Sequence, residues 1–151
     1  MRFLVQRVSS AEVRVDGEVI GAVGNGFLVL IGISGKDTKE IADRMVKKLW
    51  GLRIFADEQG KTNRSLADTG GSLLLVSQFT LYADCRHGNR PGFTNAALPA
   101  DADALYQYII GACEKLGCPV ETGSFGADMK VSLVNDGPFT VLLDSDELFP
   151  S

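Results

Sequence analysis

The sequence predicts an α+β fold, a mainly antiparallel or mixed β-sheet with two helices, in a single domain of residues 1–151. Several short stretches alternate apolar and polar residues, or are continuously apolar, as β-strands do. Only two longer stretches carry apolar residues at helical spacing. Turn residues separate many of these stretches, and a chain of 151 residues has the usual size of one domain.

The first part of the chain is predicted to form strands. Residues 2–8 and 11–15 alternate apolar and polar side chains, which predicts two half-buried strands. Asp16-Gly17 predicts a hairpin to the next strand, because Asp-Gly suits two-residue loops between antiparallel strands. The continuous apolar run at residues 27–33 predicts a central, fully buried strand.

A helix is predicted next, because Asp37 or Thr38 can cap its first turn. Its apolar stripe and the residues flanking it are Ile41, Met45, Leu49, Leu52, Val46 and Trp50. Core packing alone explains this stripe. Residues 56–71 are polar and predict a loop, and residues 72–79 predict another buried strand.

A second helix is predicted after the irregular stretch at residues 83–100, which contains several glycines and prolines. The helix is predicted to begin at Asp101 or Asp103 and to end at Gly117, a residue type suited to the end of a helix. Its predicted apolar face comprises Leu105, Ile109, Ala112 and Leu116.

Two final strands are predicted at residues 129–134 and 139–143. Pro138 lies between them and has no N–H to donate, so it interrupts their pairing. We expect hairpin-like connections between most of the six or so strands. The chain has neither a G-x-G-x-x-G motif nor a P-loop, which argues against dinucleotide and nucleoside triphosphate sites of those types.

Charge is distributed unevenly along the chain, whose formal net charge is −4. Residues 36–64 contain eight lysines and arginines against five acids, whereas residues 101–151 contain two against nine. The net charge argues against a general nucleic-acid-binding protein, but the basic stretch can present one face to a phosphate backbone. An ordinary solvated helix face explains the same pattern. No apolar run reaches about 18 residues, so no membrane span is expected.

Cysteine and histidine are too few for several kinds of site. Cys85, Cys113 and Cys118 are odd in number and form no C-x-x-C motif, which argues against a disulfide framework and a structural zinc site. They favour a reducing compartment, and we expect a cytoplasmic protein. His87 is the only histidine, so we expect no metal, no cofactor and no histidine-based catalytic triad.

Three stretches have features that suit chemistry. Residues 77–81, Ser-Gln-Phe-Thr-Leu, end a buried strand and can hold hydroxyls and N–H groups at a fixed point, as oxyanion binding requires. A strand that exits to solvent explains these five residues on their own. Residues 135–140, Asn-Asp-Gly-Pro-Phe-Thr, also suit a plain turn. Residues 88–93, Gly-Asn-Arg-Pro-Gly-Phe, can grip a phosphate and stack a base.

Together the three stretches are specific. Ser-Gln-Phe-Thr-Leu followed by Asn-x-Gly-Pro-x-Thr resembles the paired signatures of the D-aminoacyl-tRNA deacylases, the D-tyrosyl-tRNA deacylase family. The resemblance extends through the MR-x-x-x-QRV start, the GNRPGF loop and the FGADMKV segment at residues 125–131. Gly92 and Phe139 stand where a serine and a smaller β-branched residue are common, and neither departure alters a signature position.

The resemblance implies an intertwined homodimer in which the two signatures meet across the interface. Gly137-Pro138 would be cis and would reach into the partner subunit's pocket. Arg7 would brace this dipeptide and Met129 would pack near it. The residues implied for catalysis are Ser77, Gln78, Phe79 and Thr80, and those implied for substrate binding and chiral selection are Gly137, Pro138, Met129 and Arg7.

The implied activity is that of a carboxylic ester hydrolase that releases a D-amino acid from the 3′ adenosine of transfer RNA. L-aminoacyl-tRNA would be rejected, and glycine mischarged on tRNA would also be removed. The expected partners are therefore D-aminoacyl-tRNA and a second copy of the chain, and no membrane. Contacts with the tRNA body are expected from Arg86, Arg90, Lys47 and Lys48.

Backbone N–H groups near Phe79 and Thr80 are the candidates for oxyanion binding. The Thr80 hydroxyl can attack, orient a water or donate a hydrogen bond, but a nucleophilic threonine needs a base, and the sequence pairs none with it. We therefore favour positioning, with the substrate's own 2′-hydroxyl or a water in the acid–base role. Two other classes stay open: a non-catalytic RNA-binding module that uses the basic helix at residues 38–53, and a structural dimerisation domain.

Overall fold

The computed structural model describes residues 1–151 and builds them into eight strands, four α-helices and one 3₁₀ helix. The strands are β1 (Arg2–Val15), β2 (Glu18–Val23), β3 (Gly26–Gly32), β4 (Phe55–Ala56), β5 (Thr62–Arg64), β6 (Ser72–Ser77), β7 (Val120–Thr122) and β8 (Lys130–Asp144). The helices are α1 (Lys39–Gly51), α2 (Leu66–Thr69), α3 (Pro99–Glu114) and α4 (Ser145–Leu148), and the 3₁₀ helix is Phe79–Tyr82.

Strand β1 organises the main sheet, because it pairs antiparallel with β2, β3 and β8. The prediction of separate strands at residues 2–8 and 11–15 was wrong, since β1 runs without a break to Val15. The polar residues Ser9 and Ser10 that separate the two apolar patterns are exposed. A shift in the β1–β8 register beside them lets the buried face change sides without ending the strand.

The other half of the sheet is parallel. Strand β3 pairs parallel with β6, and β6 pairs parallel with β7. Parallel neighbours need crossover connections, and helices α1 and α3 lie in the segments that supply them. The mixed sheet and the two long helices are thus confirmed, whereas hairpin-like connections between most strands are not. The predicted hairpin at Asp16-Gly17 is present, with positive φ at both residues.

The two long helices differ in how well their ends and faces were predicted. Thr38 caps α1 by accepting a hydrogen bond from the Ile41 N–H. Helix α3 begins at Pro99, because proline suits the first helical position, and neither Asp101 nor Asp103 caps it. The buried face of α3 is Ala102, Tyr106, Ile109 and Cys113, which shares only Ile109 with the predicted stripe.

The predicted polar loop at residues 56–71 has more structure than expected. This segment contains most of the short β4–β5 hairpin and the single turn of α2. Ser65 caps α2 and forms reciprocal side-chain-to-backbone hydrogen bonds with Asp68. The strand predicted at residues 72–79 ends earlier, at Ser77. The chain then turns into the 3₁₀ helix that follows it.

Strand β8 also differs from the two strands predicted there. It is continuous, but its pairing with β1 is interrupted around one residue. Gln6 pairs with Thr140 and Val8 pairs with Asn135, so residues 136–139 all lie opposite Arg7. Four residues, including Pro138, therefore form a loop that has no partners in the β1–β8 ladder. The predicted pairing between the two stretches was wrong, because both belong to one strand and each pairs with β1.

Side chains from the two faces of the sheet form two apolar cores, as the alternation along a strand requires. The larger core lies under α1 and α3, and the smaller core is enclosed by β2, β6 and β8. The sheet curls almost into a barrel around the smaller core. Gly21 of β2 approaches β7 so closely that a Cβ there would stand 2.7 Å from the Thr122 carbonyl oxygen. No helix is long and apolar enough to cross a membrane.

Candidate active site

A cavity of about 660 Å³ opens at the carboxyl ends of β3 and β6. It brings together the first signature, the start of α3 and the segment before β8. Its lining includes Ile31, Ile33, Val76, Ser77, Gln78, Phe79, Phe93, Ala102, Phe125, Ala127, Met129 and Val131. The cavity is mostly apolar, and its polar lining includes Ser77 and Gln78 of the first signature.

Residues 77–82, here called the signature turn, begin at one edge of this cavity, where Ser77, Gln78 and Phe79 line it. The Gln78 N–H donates to the Ile31 carbonyl at 2.8 Å and anchors the start of the turn to β3. The next backbone bond runs from the Leu81 N–H to the Gln78 carbonyl at 3.3 Å. The N–H groups of Phe79 and Thr80 precede that bond, as the first donors of a helical turn always do. They are free to bind a developing oxyanion.

The back of the signature turn packs directly on β3. A Cβ at Gly32 would stand 2.8 Å from Leu81 Cβ and 3.3 Å from the Gln78 carbonyl oxygen. Only glycine at this position allows the turn to lie so close to the strand. The position of the turn is therefore defined by backbone contact with the sheet.

Thr80 has no general base beside it. Its hydroxyl is exposed and accepts a hydrogen bond from the Gln78 side-chain amide, which cannot take up a proton. Tyr82, at the end of the turn, is buried, and burial raises its pKa well above the ordinary value. A tyrosine that holds its proton at neutral pH is no base. The arrangement favours hydrogen bonding by Thr80 over nucleophilic attack.

Two aromatic side chains stand at the cavity mouth. Phe79 is 56% exposed and Phe93 36% exposed. Their rings meet edge to face, with centroids 5.0 Å apart and an interplanar angle of 68°. The sequence indicated Phe93 only as the aromatic of a Gly- and Pro-rich loop that can stack a base, and the inner Phe125 was not singled out as a site residue.

Met129 lies in the same cavity. The Met129 sulfur accepts a hydrogen bond from the Ser124 N–H at 3.4 Å. The same sulfur packs tightly on Gly123, where an added Cβ would stand 2.7 Å from it. The adjacent Lys130 pairs with Arg14 on β1. Within one chain, Met129 is therefore associated with the signature turn and not with Gly137-Pro138.

Arg7 holds the loop that contains Gly137-Pro138. Its Nε donates to the Asp136 carbonyl at 2.9 Å and its Nη1 to the Ile54 carbonyl at 2.6 Å. Its guanidinium lies 4.8 Å from the centre of the Phe139 ring. The Gly137–Pro138 peptide bond is cis. The expected contact between Arg7 and the dipeptide's loop is present in the structure.

Asn135 closes the base of the same loop. Its side-chain amide donates to the carbonyls of Arg7 and Phe139, at 3.0 and 2.9 Å, and its oxygen accepts from the Phe139 N–H at 3.1 Å. These bonds replace the ladder bonds that the ejected residues do not make. The loop is exposed but fixed at both ends.

The loop does not reach the cavity of its own chain. The loop lies opposite Arg7. Strand β8 begins at Lys130, next to the cavity residue Met129, and Lys130 lies opposite Arg14, seven positions further along β1. At about 3.3 Å per residue this separation is roughly 23 Å. Residues 135–140 are accordingly absent from the cavity lining. The two signatures are separate within one chain.

Comparison with known proteins identifies the family. The family model for D-Tyr-tRNA(Tyr) deacylase matches residues 4–144. The chain belongs to this deacylase family. A D-aminoacyl-tRNA deacylase of Anaeromyxobacter dehalogenans (strain 2CP-C) is 57% identical over 149 residues, covering 99% of this chain and 100% of the relative. One of Symbiobacterium thermophilum is 52% identical over 149 residues and covers 99% of each chain. The protein is thus an enzyme of the D-aminoacyl-tRNA deacylase family.

Solved structures support the deacylase fold. A c-Myc DNA unwinding element binding protein superposes with a TM-score of 0.89 at 42% identity, covering 95% of this chain and 98% of the other. A probable eukaryotic D-amino acid tRNA deacylase superposes with a TM-score of 0.82 at 18% identity, over 94% and 97% of the two chains. The second likeness concerns the fold alone.

The four basic residues expected to contact tRNA lie on two separate segments of the deacylase, the loop after the signature turn and helix α1. Arg86 is paired with Asp84 at 2.9 Å, and its hydrogen bond lowers the Asp84 pKa to about 2. Arg90 is exposed in the neighbouring loop. Lys47 and Lys48 lie late in α1, which follows β3 and runs back from the cavity end of the sheet. Arg86 thus has a carboxylate to satisfy its charge.

Acidic, cysteine and histidine side chains are dispersed over the deacylase. No group of three or more is close enough to hold a metal ion. His87 is exposed in the loop between the signature turn and Phe93. Cys85 is exposed, Cys118 half-buried and Cys113 buried, and all three are unpaired. Burial raises the pKa of the Cys113 thiol to about 12, so it is not a reactive thiolate.

Proposed function

We propose that this protein hydrolyses the ester bond of D-aminoacyl-tRNA, releases the free D-amino acid and tRNA, and rejects L-aminoacyl-tRNA. The observation that carries the proposal is the signature turn at the cavity edge, with two free backbone N–H groups and no base. An aminoacyl ester is already activated, so the protein must mainly position it and stabilise the tetrahedral oxyanion. We assign that stabilisation to the N–H groups of Phe79 and Thr80.

In this mechanism Thr80 donates a hydrogen bond or orients the attacking water. The side-chain amide of Gln78 fixes the Thr80 hydroxyl by a hydrogen bond, and Ser77, the residue before Gln78, lines the cavity. Proton transfer is assigned to the water or to the substrate's 2′-hydroxyl, because no titratable side chain of the signature turn suits it. Neither a metal ion nor a cofactor takes part.

We further propose a homodimer in which Gly137-Pro138 of one subunit enters the cavity of the other. Three features support it. The loop is exposed and rigidly held, it lies roughly 23 Å along β1 from its own cavity, and its strand β8 is an edge that pairs only with β1. Strand β8 also exposes large apolar side chains, Val134 at 56% and Leu142 at 50%. A second subunit would bury them.

The dimer explains chirality. With the carbonyls of Gly137-Pro138 facing the substrate's α-amino group, the amine and Cα–H are held in one orientation. A D side chain then points to solvent, whereas an L side chain is driven into backbone atoms. Such a clash discriminates without any contact specific to a side chain. Glycine has no side chain to clash, so Gly-tRNA is also hydrolysed.

For the tRNA body we propose contacts from Arg90, Lys47 and Lys48, with Arg86 contributing only if it exchanges Asp84 for a phosphate. These charges lie on separate segments of the chain, and each would neutralise a phosphate of the tRNA backbone. The three unpaired cysteines are consistent with action in the cytoplasm, where aminoacyl-tRNA is used.

The activity is tested with D-Tyr-tRNA, D-Asp-tRNA, L-Tyr-tRNA and Gly-tRNA under identical conditions, with ester loss as the readout. We expect both D esters to be hydrolysed, Gly-tRNA to be hydrolysed and L-Tyr-tRNA to survive. Efficient loss of L-Tyr-tRNA would refute the chiral mechanism. An inert protein that still binds tRNA would favour the RNA-binding module instead, and no effect on any of these would favour a dimerisation domain.

The shared site is tested by mixing two variants that each have strongly reduced activity. One carries Thr80→Val with Gln78→Ala, and the other carries Gly137→Val. In a mixed dimer one site receives both defects, while the other receives an intact turn and an intact loop. If the site is shared, mixing restores activity, up to half of the wild-type value per mixed dimer. If each chain forms its own site, mixing restores none.

A further inference from the structure

We propose that Arg2 is a positioning residue that holds the signature turn in the geometry needed for oxyanion binding. The inference rests on the proposed role of that turn. Arg2 lies outside both signatures and outside the cavity lining. It acts through the far end of the turn, where it contacts neither the substrate nor the reacting atoms.

The guanidinium of Arg2 joins three groups. Its Nη1 donates to the Leu81 carbonyl at 2.7 Å, and its Nε donates to Asp144 Oδ2 at 3.0 Å. Its Cζ stands 4.6 Å from the centre of the Tyr82 ring. Two consecutive residues of the turn are therefore fixed by one side chain.

The partner carboxylate is itself immobile. The Asp144 side chain is 9% exposed, and its second oxygen accepts the Asp146 N–H at 2.9 Å, which caps α4. A planar guanidinium that is held at one edge by a fixed carboxylate presents its other donors in a fixed direction. The Leu81 carbonyl thus receives a hydrogen bond whose direction is set by the end of β8.

The sheet register places Arg2 directly beside Gly32, the glycine against which the signature turn packs. Arg2 pairs with Gly32 on one side and with Asp144 on the other. The turn is therefore pressed against Gly32 and held by Arg2 through the Leu81 carbonyl. Since the Leu81 N–H closes the turn onto Gln78, fixing Leu81 also fixes the direction of the two free N–H groups between them.

The test compares Arg2→Met, which keeps the aliphatic stem but loses the guanidinium, with Arg14→Met as the matched control. Arg14 lies on the same strand, is exposed, and its side chain forms polar contacts with Glu12 and the Gly17 carbonyl. We expect Arg2→Met to lower kcat for D-Tyr-tRNA about tenfold with KM within about twofold, because a charge-assisted hydrogen bond is lost. Arg14→Met should leave both values unchanged.

A second readout does not depend on activity. Hydrogen exchange of the Leu81 and Ala83 amides, measured well below the melting temperature, should accelerate about tenfold in Arg2→Met and not in Arg14→Met. If Arg2→Met fails to fold, Arg2→Lys replaces it, since a lysine can reach only one of the two acceptors. Arg2→Lys should show the same changes in smaller size.

The outcomes separate the inference from the proposed function. Wild-type deacylation with unchanged kcat and unchanged exchange in both Arg2 variants would overturn the positioning role alone. A wild-type protein without deacylase activity would overturn the proposed function, while the exchange data would still decide whether Arg2 orders the turn. A fall in kcat without faster exchange would also count against positioning.

Discussion

Replacing Gly32 with alanine should displace the signature turn from its position against β3. The added Cβ would stand 2.8 Å from Leu81 Cβ and 3.3 Å from the Gln78 carbonyl oxygen. Carbon atoms in contact prefer about 3.5–4.0 Å, so Leu81 must retreat by roughly 0.7–1.2 Å. Both contacts are at or beside the backbone, so the whole turn has to move.

This displacement sets the expected magnitudes. Overpacking of a tight contact costs about 1–3 kcal/mol of unfolding free energy. In a chain of 151 residues each kcal/mol lowers Tm by about 2–4 °C, so Tm should fall by about 2–12 °C. A misplacement of about 1 Å near reacting groups costs on the order of a hundredfold in rate. We therefore expect the larger effect on kcat.

The assay is D-Tyr-tRNA hydrolysis well below both melting temperatures, together with thermal unfolding. The matched control is Gly35→Ala, where a Cβ meets nothing within 4 Å. That variant should retain wild-type kcat and Tm. A Gly32→Ala protein whose kcat stays within about twofold of Gly35→Ala would refute the idea that the turn must lie against β3.

Four further outcomes are expected. Thr80→Ala should lose hydrolysis only in part, by about 2.7–4 kcal/mol or less as for one oxyanion donor, and a trapped acyl-enzyme in the wild type would contradict this. Arg7→Met should remove the hydrogen bonds by which Arg7 links the Asp136 carbonyl of the loop to the Ile54 carbonyl and lower kcat, whereas unaltered hydrolysis would argue against a role for the loop. His87→Ala, and wild type in excess EDTA, should keep their activity, and a loss beyond about a hundredfold would indicate a general base or a metal. Burial raises the pKa of Tyr106 to about 12. The contribution of this protonated tyrosine to the free energy of unfolding is therefore full below pH about 10 and falls as the pH rises from 10 to 12. Over that range the Tm of Tyr106→Phe should fall less steeply than the Tm of the wild type.

The sequence predicted the elements whose causes are local. Thr38 caps α1, Asp16-Gly17 turns the first hairpin, and the apolar run before residue 33 forms the central strand. Each depends on residue types within a few positions of one another. The register shift beside Ser9 was not predictable, because it depends on β8, more than a hundred residues away.

The candidate site shows the same division. Residues 77–80 were identified from the signature, and Ser77, Gln78 and Phe79 of that stretch line a cavity, whereas Thr80 lies just outside its lining. The contribution of Gly32 was not visible, since only the packing of a distant turn makes that glycine necessary. The pairing of Arg86 with Asp84 was equally hidden. A count of basic residues says nothing about which of them already has a partner.

The loop ejected from β8 has a consequence for how the protein can vary. Because the ladder resumes on each side of Arg7, the length of residues 136–139 is independent of the register that holds the fold together. Deleting or inserting one residue there changes the reach of the loop by up to about 3.4 Å and leaves every strand pair in place. The distance that the loop projects from the sheet is therefore adjustable without a change of strand register, whereas the sideways position of the loop is fixed by that register.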